Sequence, residues 1–531
     1  MKKYGSRTDW PVLLISGGLL VAFVIASFIN VDLVGRMVDQ SFAFAVTYFG
    51  GFWQVLFLGT FFIALFLAFS KYGNIRLGGI EKPEIAYFKW IAMIMTTLLA
   101  GGGVFWAAAE PMYHFLEVSP NFAGGGVESA TQSAVIPAFA QAYLHWGFLA
   151  WSILGTLGTI VLMYAHYQKG MPLKPRALLY PLMGEKIMGK SLLGTVIDAS
   201  AVIAVAAGTI GPIGFLGLQA AYGLEVLFGI PNNLFTQVVI IVGVVAIATI
   251  SAISGLRKGI QFLSNLNILI TLILMITILI VGPGGFILNT FLAATGIHLQ
   301  EFLEMSTFRG DSAWLGSWTI FFWGWFLGYG PMMAIFISTI TRGRTIRELV
   351  LAVSITAPIV TAFWFTVVGG TGMFYELAEP GIISDALNTS GMPAAMMAIT
   401  QQLPLNVVIA PLFVLVTILF VVTTADSMAY TISVAITGDG QPPKAMRIFW
   451  AFIMGTVAIV LLMISEGGID AIQSFIVVTA IPVSLLLFTT FWSAPKVAKL
   501  MYNDQFRRGT SMKRPEVARV KIPNSSSKEK Q

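Results

Sequence analysis

The chain contains no cysteine, which removes disulfides, thiolate metal centres and cysteine nucleophiles at the outset. Charge is nearly as scarce. Asp, Glu, Lys and Arg make up 11% of the 531 residues, against about 25% in soluble domains, so a water-soluble globule is excluded. Histidine occurs only as His114, His145, His166 and His298, without metal-ligand spacing. No nucleophile–base pair or paired-carboxylate motif accompanies them, so an enzyme would lack its chemistry. Between Lys190 and Arg257 there is no Lys or Arg at all.

What is abundant is apolar. Hydrophobic residues account for 56% of the chain, and mean hydropathy is +0.82. Spans of roughly 20 residues plus connections predict an all-α membrane protein with twelve transmembrane helices, at about 11–30, 46–70, 88–109, 136–166, 191–222, 234–253, 260–281, 313–341, 347–375, 404–436, 446–464 and 469–493. The first run lacks a small-residue cleavage site, so it is expected to be retained. With the N-terminus inside, all but two of the 31 Lys and Arg, namely Arg36 and Arg309, fall in cytoplasmic segments. That asymmetry predicts a multi-pass protein with both termini cytoplasmic, and it assigns the net charge of +6 to topology rather than to nucleic acid.

Glycine-interrupted stretches at 99–111 and 323–331, in the third and eighth spans, are read as starting two repeats, which gives a cytoplasmic N-terminus (1–10), two peripheral helices (11–87), a five-helix unit (88–281), an outer loop with an amphipathic segment (282–312), a second five-helix unit (313–493) and a basic, Ser-rich tail (494–531). An odd number of helices per unit makes the second the inverse of the first, as in LeuT-like inverted-repeat transporters.

The most informative stretch is Trp318–Val350. Gly324, Gly328, Gly330 and Pro331 predict a broken helix there, since glycine and proline loosen a helix and freed backbone in hydrocarbon is tolerated where it lines a cavity. Trp323, Trp325, Phe326 and Tyr329 supply aromatic faces for a cation. In Leu99–Phe115 the consecutive Gly101, Gly102 and Gly103 predict either a second unwound point or a small-residue helix contact. In Tyr143–Leu154, Trp146 and Trp151 are five apart, about 140° around a helix. They flank a pocket or serve as packing anchors. In Leu419–Thr431, Thr423 and Thr424 either offer oxygens to sodium or bond back to their own helix. Asp426 beside them needs a partner or a place near the inner surface.

These stretches resemble the betaine/choline/carnitine transporter family. The turn Arg342-Gly343-Arg344-Thr345-Ile346-Arg347-Glu348 matches its signature, as do Ala109-Glu110-Pro111, His145-Trp146-Gly147 with Trp151, and Phe420 with Thr423-Thr424-Ala425-Asp426-Ser427. The resemblance implies a secondary transporter of the bacterial inner membrane, importing a small zwitterionic or quaternary-ammonium osmolyte such as betaine, choline, carnitine or a sulfonium analogue. It implies substrate contacts at Trp146, Trp151, Trp325, Phe326, Tyr329, Gly101, Gly102 and Gly103, and a sodium site of Ala100, Gly103, Phe420, Thr423 and Thr424. It also implies a homotrimer and, in some relatives, a regulatory tail. Sodium-independent exchangers of the family carry an arginine in helix five. Asp198, Thr209 and glycines occupy that helix here, which favours sodium symport over exchange; a channel or osmosensor is a further alternative. The aromatic box departs from the family at Phe326 and Tyr329, where tryptophans are usual, and at Leu154, where a tyrosine is.

Overall fold

The computed structural model describes residues 8–254, 257–437 and 442–507, apart from the side chains of 96–101, 254, 257–264 and 507. Backbone in hydrocarbon must satisfy its own hydrogen bonds, and the described residues accordingly form helices and turns, with one isolated bridge pair, Arg76 and Thr345. The long helices are α1 (Trp10–Ile29), α2 (Val31–Phe69), α3 (Tyr87–Leu116), α4 (Gln132–Gln168), α5 (Leu192–Phe228), α6 (Leu234–Ser254) and α7 (Arg257–Val281). They continue as α8 (Gly284–Gln300), α9 (Ser312–Ile340), α10 (Ile346–Ala378), α11 (Asn406–Thr437), α12 (Lys444–Ile464) and α13 (Asp470–Phe506).

Among the described residues ten helices are long and apolar enough to cross a membrane, or eleven if α7 and α8 are taken as one span bent by 105°. That count leaves out α3, which passes through the undescribed side chains at 96–101. In the most apolar 18-residue stretch of α4 and of α5, 94% of residues are buried, as expected of central helices, against 33% in α1 and 28% in α6, which lie at the periphery. Around this centre the packing is reciprocal. Helix α3 packs on α10 and α9 on α4, α5 packs on α11, α6 on α12, α13 on α5 and α7 on α11.

Several expectations are corrected. Helix α2 begins at Val31 rather than at 46, because Asn30 caps it by accepting from Leu33 N at 2.9 Å. The break expected over 323–331 is absent: the chain is continuously helical from Phe321 to Ile340 through Pro331. Its glycines serve close packing instead. A Cβ on Gly324 would meet Trp53 at 3.0 Å, one on Gly328 the Ala204 carbonyl at 3.2 Å, and one on Gly330 the Leu487 side chain at 2.7 Å. Helix α3 is likewise continuous through its glycine run. The breaks fall in α4, where Gly147 (φ −98°, ψ −137°) and Thr156 (φ −105°, ψ −88°) leave helical geometry. Finally, the segment after 494 is helical to Tyr502 and docked by paired bonds between Gln505 and the Arg76 backbone at 3.0 and 2.7 Å. The rest of the expected tail, 508–531, lies outside the described residues.

The signature turn at 342–348 is a clasp rather than a simple charged edge. Gly343 sits at φ +81°, and Thr345 and Glu348 form a reciprocal capping box at the start of α10. Main-chain bonds join Leu77 to Arg344 and Gly343 to Leu77, both at 2.8 Å. Arg344 lies over the Trp90 ring at 5.0 Å, and Arg347 Nε donates to the Ala68 carbonyl at 3.0 Å. The turn therefore ties the α9–α10 connection to the α2–α3 connection.

Candidate functional site

The dense aromatic stretch of α9 faces α4, and the first break of α4 decides how. Trp146 ends the segment Gln132–Trp146, and Gly147 follows in a conformation where an added Cβ would collide with the Tyr143 carbonyl. The Trp146 ring meets Phe326 at 5.2 Å and Trp325 at 5.9 Å, both edge-on, with Phe322 and Phe365 completing its contacts. Trp325 and Phe326 lie parallel, 4° apart in plane. Gly102 stands beneath them: its Cβ would be 2.6 Å from the tip of Trp325 and 3.0 Å from that of Trp146. The glycine admits two indoles where no other residue fits.

Helix α5 supplies the opposite wall. Trp325 Nε1 donates to the Gly208 carbonyl at 3.0 Å, and Tyr329 donates to Thr209 Oγ1 at 3.3 Å, since that hydroxyl already donates to Val205 O. Of the expected substrate residues, the structure thus brings together Trp146, Trp325, Phe326, Tyr329 and Gly102. Trp151 lies past the break, where its indole donates to Thr361 Oγ1 of α10 at 3.1 Å. Its five-residue spacing from Trp146 assumed an unbroken helix. Gly101 and the Ala100 side chain lie outside the described residues.

Of the expected ion-site residues, Gly103 and Phe420 are both met by Trp364 or by the cavity that it lines. Trp364 of α10 donates to the Gly103 carbonyl at 2.8 Å. With Phe420, Val104 and residues of α7 it lines an apolar cavity of about 240 Å³. Thr423 Oγ1 bonds back to Leu419 O at 2.8 Å, whereas the buried Thr424 Oγ1 has no hydrogen-bond partner. These two hydroxyls, adjacent in sequence, are unlike in availability. Asp426 has its partner in Arg447 of α12 at 3.0 Å, and Asp198 is a buried partner of Arg176 at 2.6 Å rather than a free helix-end carboxylate.

Sequence reasoning missed Trp364, Phe365 and Phe322, and above all Glu110. That carboxylate is fully buried, accepting from His145 Nδ1 at 2.6 Å and Trp146 Nε1 at 2.7 Å, with His114 Nε2 at 3.5 Å. The helical spacing of Glu110 and His114 was the available signal. Glu110, His114 and His145 are close enough to suggest a metal centre. However, 2.6 Å is a hydrogen-bond distance, shorter than the ~3.4 Å between ligands of a tetrahedral ion with bonds of about 2.1 Å. Glu110 and His145 form a hydrogen-bonded pair, and His114 Nε2 beside them has no hydrogen-bond partner.

A bundle of long apolar helices with an aromatic cluster buried between its central members has the architecture of a membrane carrier. Residues 11–503 match the pattern of the BCCT, betaine/carnitine/choline family transporters. The chain belongs to this family. It is 50% identical over 495 residues to glycine betaine transporter 2 of Vibrio parahaemolyticus, covering 93% of this chain and 91% of that one. It is 34% identical over 498 residues to the glycine betaine transporter OpuD of Bacillus subtilis (92% and 93%), and 31% identical over 490 residues to the ectoine/hydroxyectoine transporter of Virgibacillus pantothenticus (91% and 95%).

Proposed function

We propose that this protein imports glycine betaine, or a similarly small zwitterionic osmolyte, by sodium symport with alternating access. The carrying observation is the cluster of Trp146, Trp325 and Phe326 over Gly102, a set of ring faces and edges suited to a cationic head group. The names of the relatives favour betaine over choline or carnitine, with ectoine next. Sodium coupling is supported by the unpartnered Thr424 hydroxyl beside Phe420, with Ala100, Gly103 and Thr423 completing the set expected from the family. Sodium-independent exchange remains the competing mode.

Twelve membrane spans and an inverted repeat, α3–α7 against α9–α13, are part of the same reading. Reciprocal packing supports the repeat: the first helix of each unit packs on the second of the other, and the third helices pack on each other, as a two-fold relation requires. The distribution of Lys and Arg supports cytoplasmic termini, and the family and the bacterial relatives support a bacterial inner membrane. A homotrimer would use the α8 side, where Leu288, Leu292 and Leu299 are exposed. Intrinsic fluorescence of the purified protein, titrated with betaine in sodium and in potassium, tests the site. The reading predicts a saturable change that requires sodium and is lost in Trp146→Ala. A flat titration with a panel of betaine, choline, carnitine, dimethylsulfoniopropionate and ectoine would overturn it.

A further inference from the structure

The two oxygens of Glu110 are divided between two jobs. Oε1 accepts from His145 Nδ1 at 2.6 Å, and Oε2 accepts from the Trp146 indole at 2.7 Å. His145 is held from its far side, where Nε2 meets Thr319 Oγ1 of α9 at 2.9 Å and the Gln141 side-chain amide at 3.0 Å. Glu110 and His145 are completely buried, and Trp146 is 3% exposed. An ionisable group at this depth of a membrane protein is costly and calls for a function.

An indole offers one donor, in the plane of its ring. An acceptor at 2.7 Å therefore fixes the ring's rotation as well as its position. It also couples the ring electronically to the carboxyl group, because hydrogen-bonded groups polarise one another in a low dielectric. Electron density drawn toward the ring strengthens the face that a cation would use. The ring so held is the one whose neighbours are Trp325 and Phe326.

We infer that Glu110 is a positioning and tuning residue for substrate recognition: acting through its single bond to Trp146, it sets the orientation and cation affinity of the aromatic wall, while His145, itself held by Thr319, holds its other oxygen. This rests on the reading of the aromatic cluster as the substrate site. It adds that specificity for a positively charged head group is set partly from α3, by a residue one shell away from the substrate. His114 stands at 3.5 Å from the same Oε1, so the carboxylate is also framed from its own helix.

The test is uptake of labelled betaine into proteoliposomes by the wild type, Glu110→Gln, Trp146→Phe and the double variant. Gln keeps an acceptor for the indole and replaces the carboxyl oxygen that meets His145. Glu110→Gln is expected to raise KM about three- to tenfold, with Vmax within about twofold, and to add nothing to KM in the Trp146→Phe background. An unchanged KM, or the same increase in the Trp146→Phe background, would overturn the inference. Should Glu110→Gln fail to reach the membrane, Thr319→Val loosens His145 while leaving the carboxyl group in place. It is expected to raise KM in the native background and not in Trp146→Phe; an unchanged KM there overturns the inference equally. Absence of saturable uptake by the wild type is a separate outcome, and it would remove the substrate-site reading itself.

Discussion

Trp325 of α9 is pinned to α5 by its indole bond to the Gly208 carbonyl at 3.0 Å, and the same glycine leaves room for Tyr329. A Cβ on Gly208 would stand 2.5 Å from the Tyr329 ring and 3.3 Å from Trp325. Gly208→Ala is therefore expected to displace both rings at a cost of about 1–3 kcal/mol. Betaine uptake should show a KM raised about tenfold or more. Uptake kinetics unchanged from wild type would mean that these rings are not part of the binding surface.

The two neighbouring threonines of α11 should differ. Thr423 is committed to its own helix, while the Thr424 hydroxyl is buried and unpartnered. Losing one oxygen ligand, at roughly 1–1.5 kcal/mol, should raise the sodium concentration for half-maximal uptake about tenfold in Thr424→Ala. Thr423→Ala should move it less. Because no hydrogen bond is lost at Thr424, that variant should also melt no lower than wild type in detergent. Equal shifts in the sodium dependence of both variants would contradict the difference in availability.

Arg176 is held between two carboxylates, Asp198 at 2.6 Å and Asp9 at 3.1 Å, and it is 4% exposed. Removing the guanidinium leaves Asp198 buried and unpaired. Arg176→Met should destabilise the fold by about 3–5 kcal/mol, seen as a lower melting temperature. Asp198→Asn combined with Arg176→Met should recover part of that loss. A double variant less stable than Arg176→Met would show that the charge of Asp198 is satisfied by something other than Arg176.

In the signature turn, Gly343 holds a left-handed φ of +81° against the Lys82 carbonyl. Gly343→Ala adds a left-handed penalty of roughly 1–2 kcal/mol to that overlap. The expected result is reduced folded yield on size-exclusion chromatography, with the remaining transporter keeping a near-native KM. A changed KM with normal yield would connect the clasp to the substrate site instead.

How far these features were legible varies with the physics behind them. Helix positions followed from hydropathy because hydrocarbon leaves the backbone few choices. Trp325, Phe326 and Trp146 stood out because aromatic residues are dense there and the His-Trp-Gly motif is local. The break was misplaced because glycine in a membrane helix has two uses. At Gly324, Gly328 and Gly330 it admits a neighbouring side chain or backbone, and only at Gly147 does it release the chain. Nothing local separates the two, since the difference lies in residues such as Trp53, Ala204 and Leu487, which are distant in sequence. Glu110 was hidden for the same reason: its partners His145 and Trp146 are on another helix. Trp364 meets Gly103 across 261 positions.

The most direct test of the account is accumulation of labelled glycine betaine in proteoliposomes, with an inward sodium gradient against equal potassium. The account predicts saturable accumulation that requires the sodium gradient and collapses in Trp325→Ala. Uptake that ignores sodium and requires substrate preloaded inside would contradict symport and identify an exchanger.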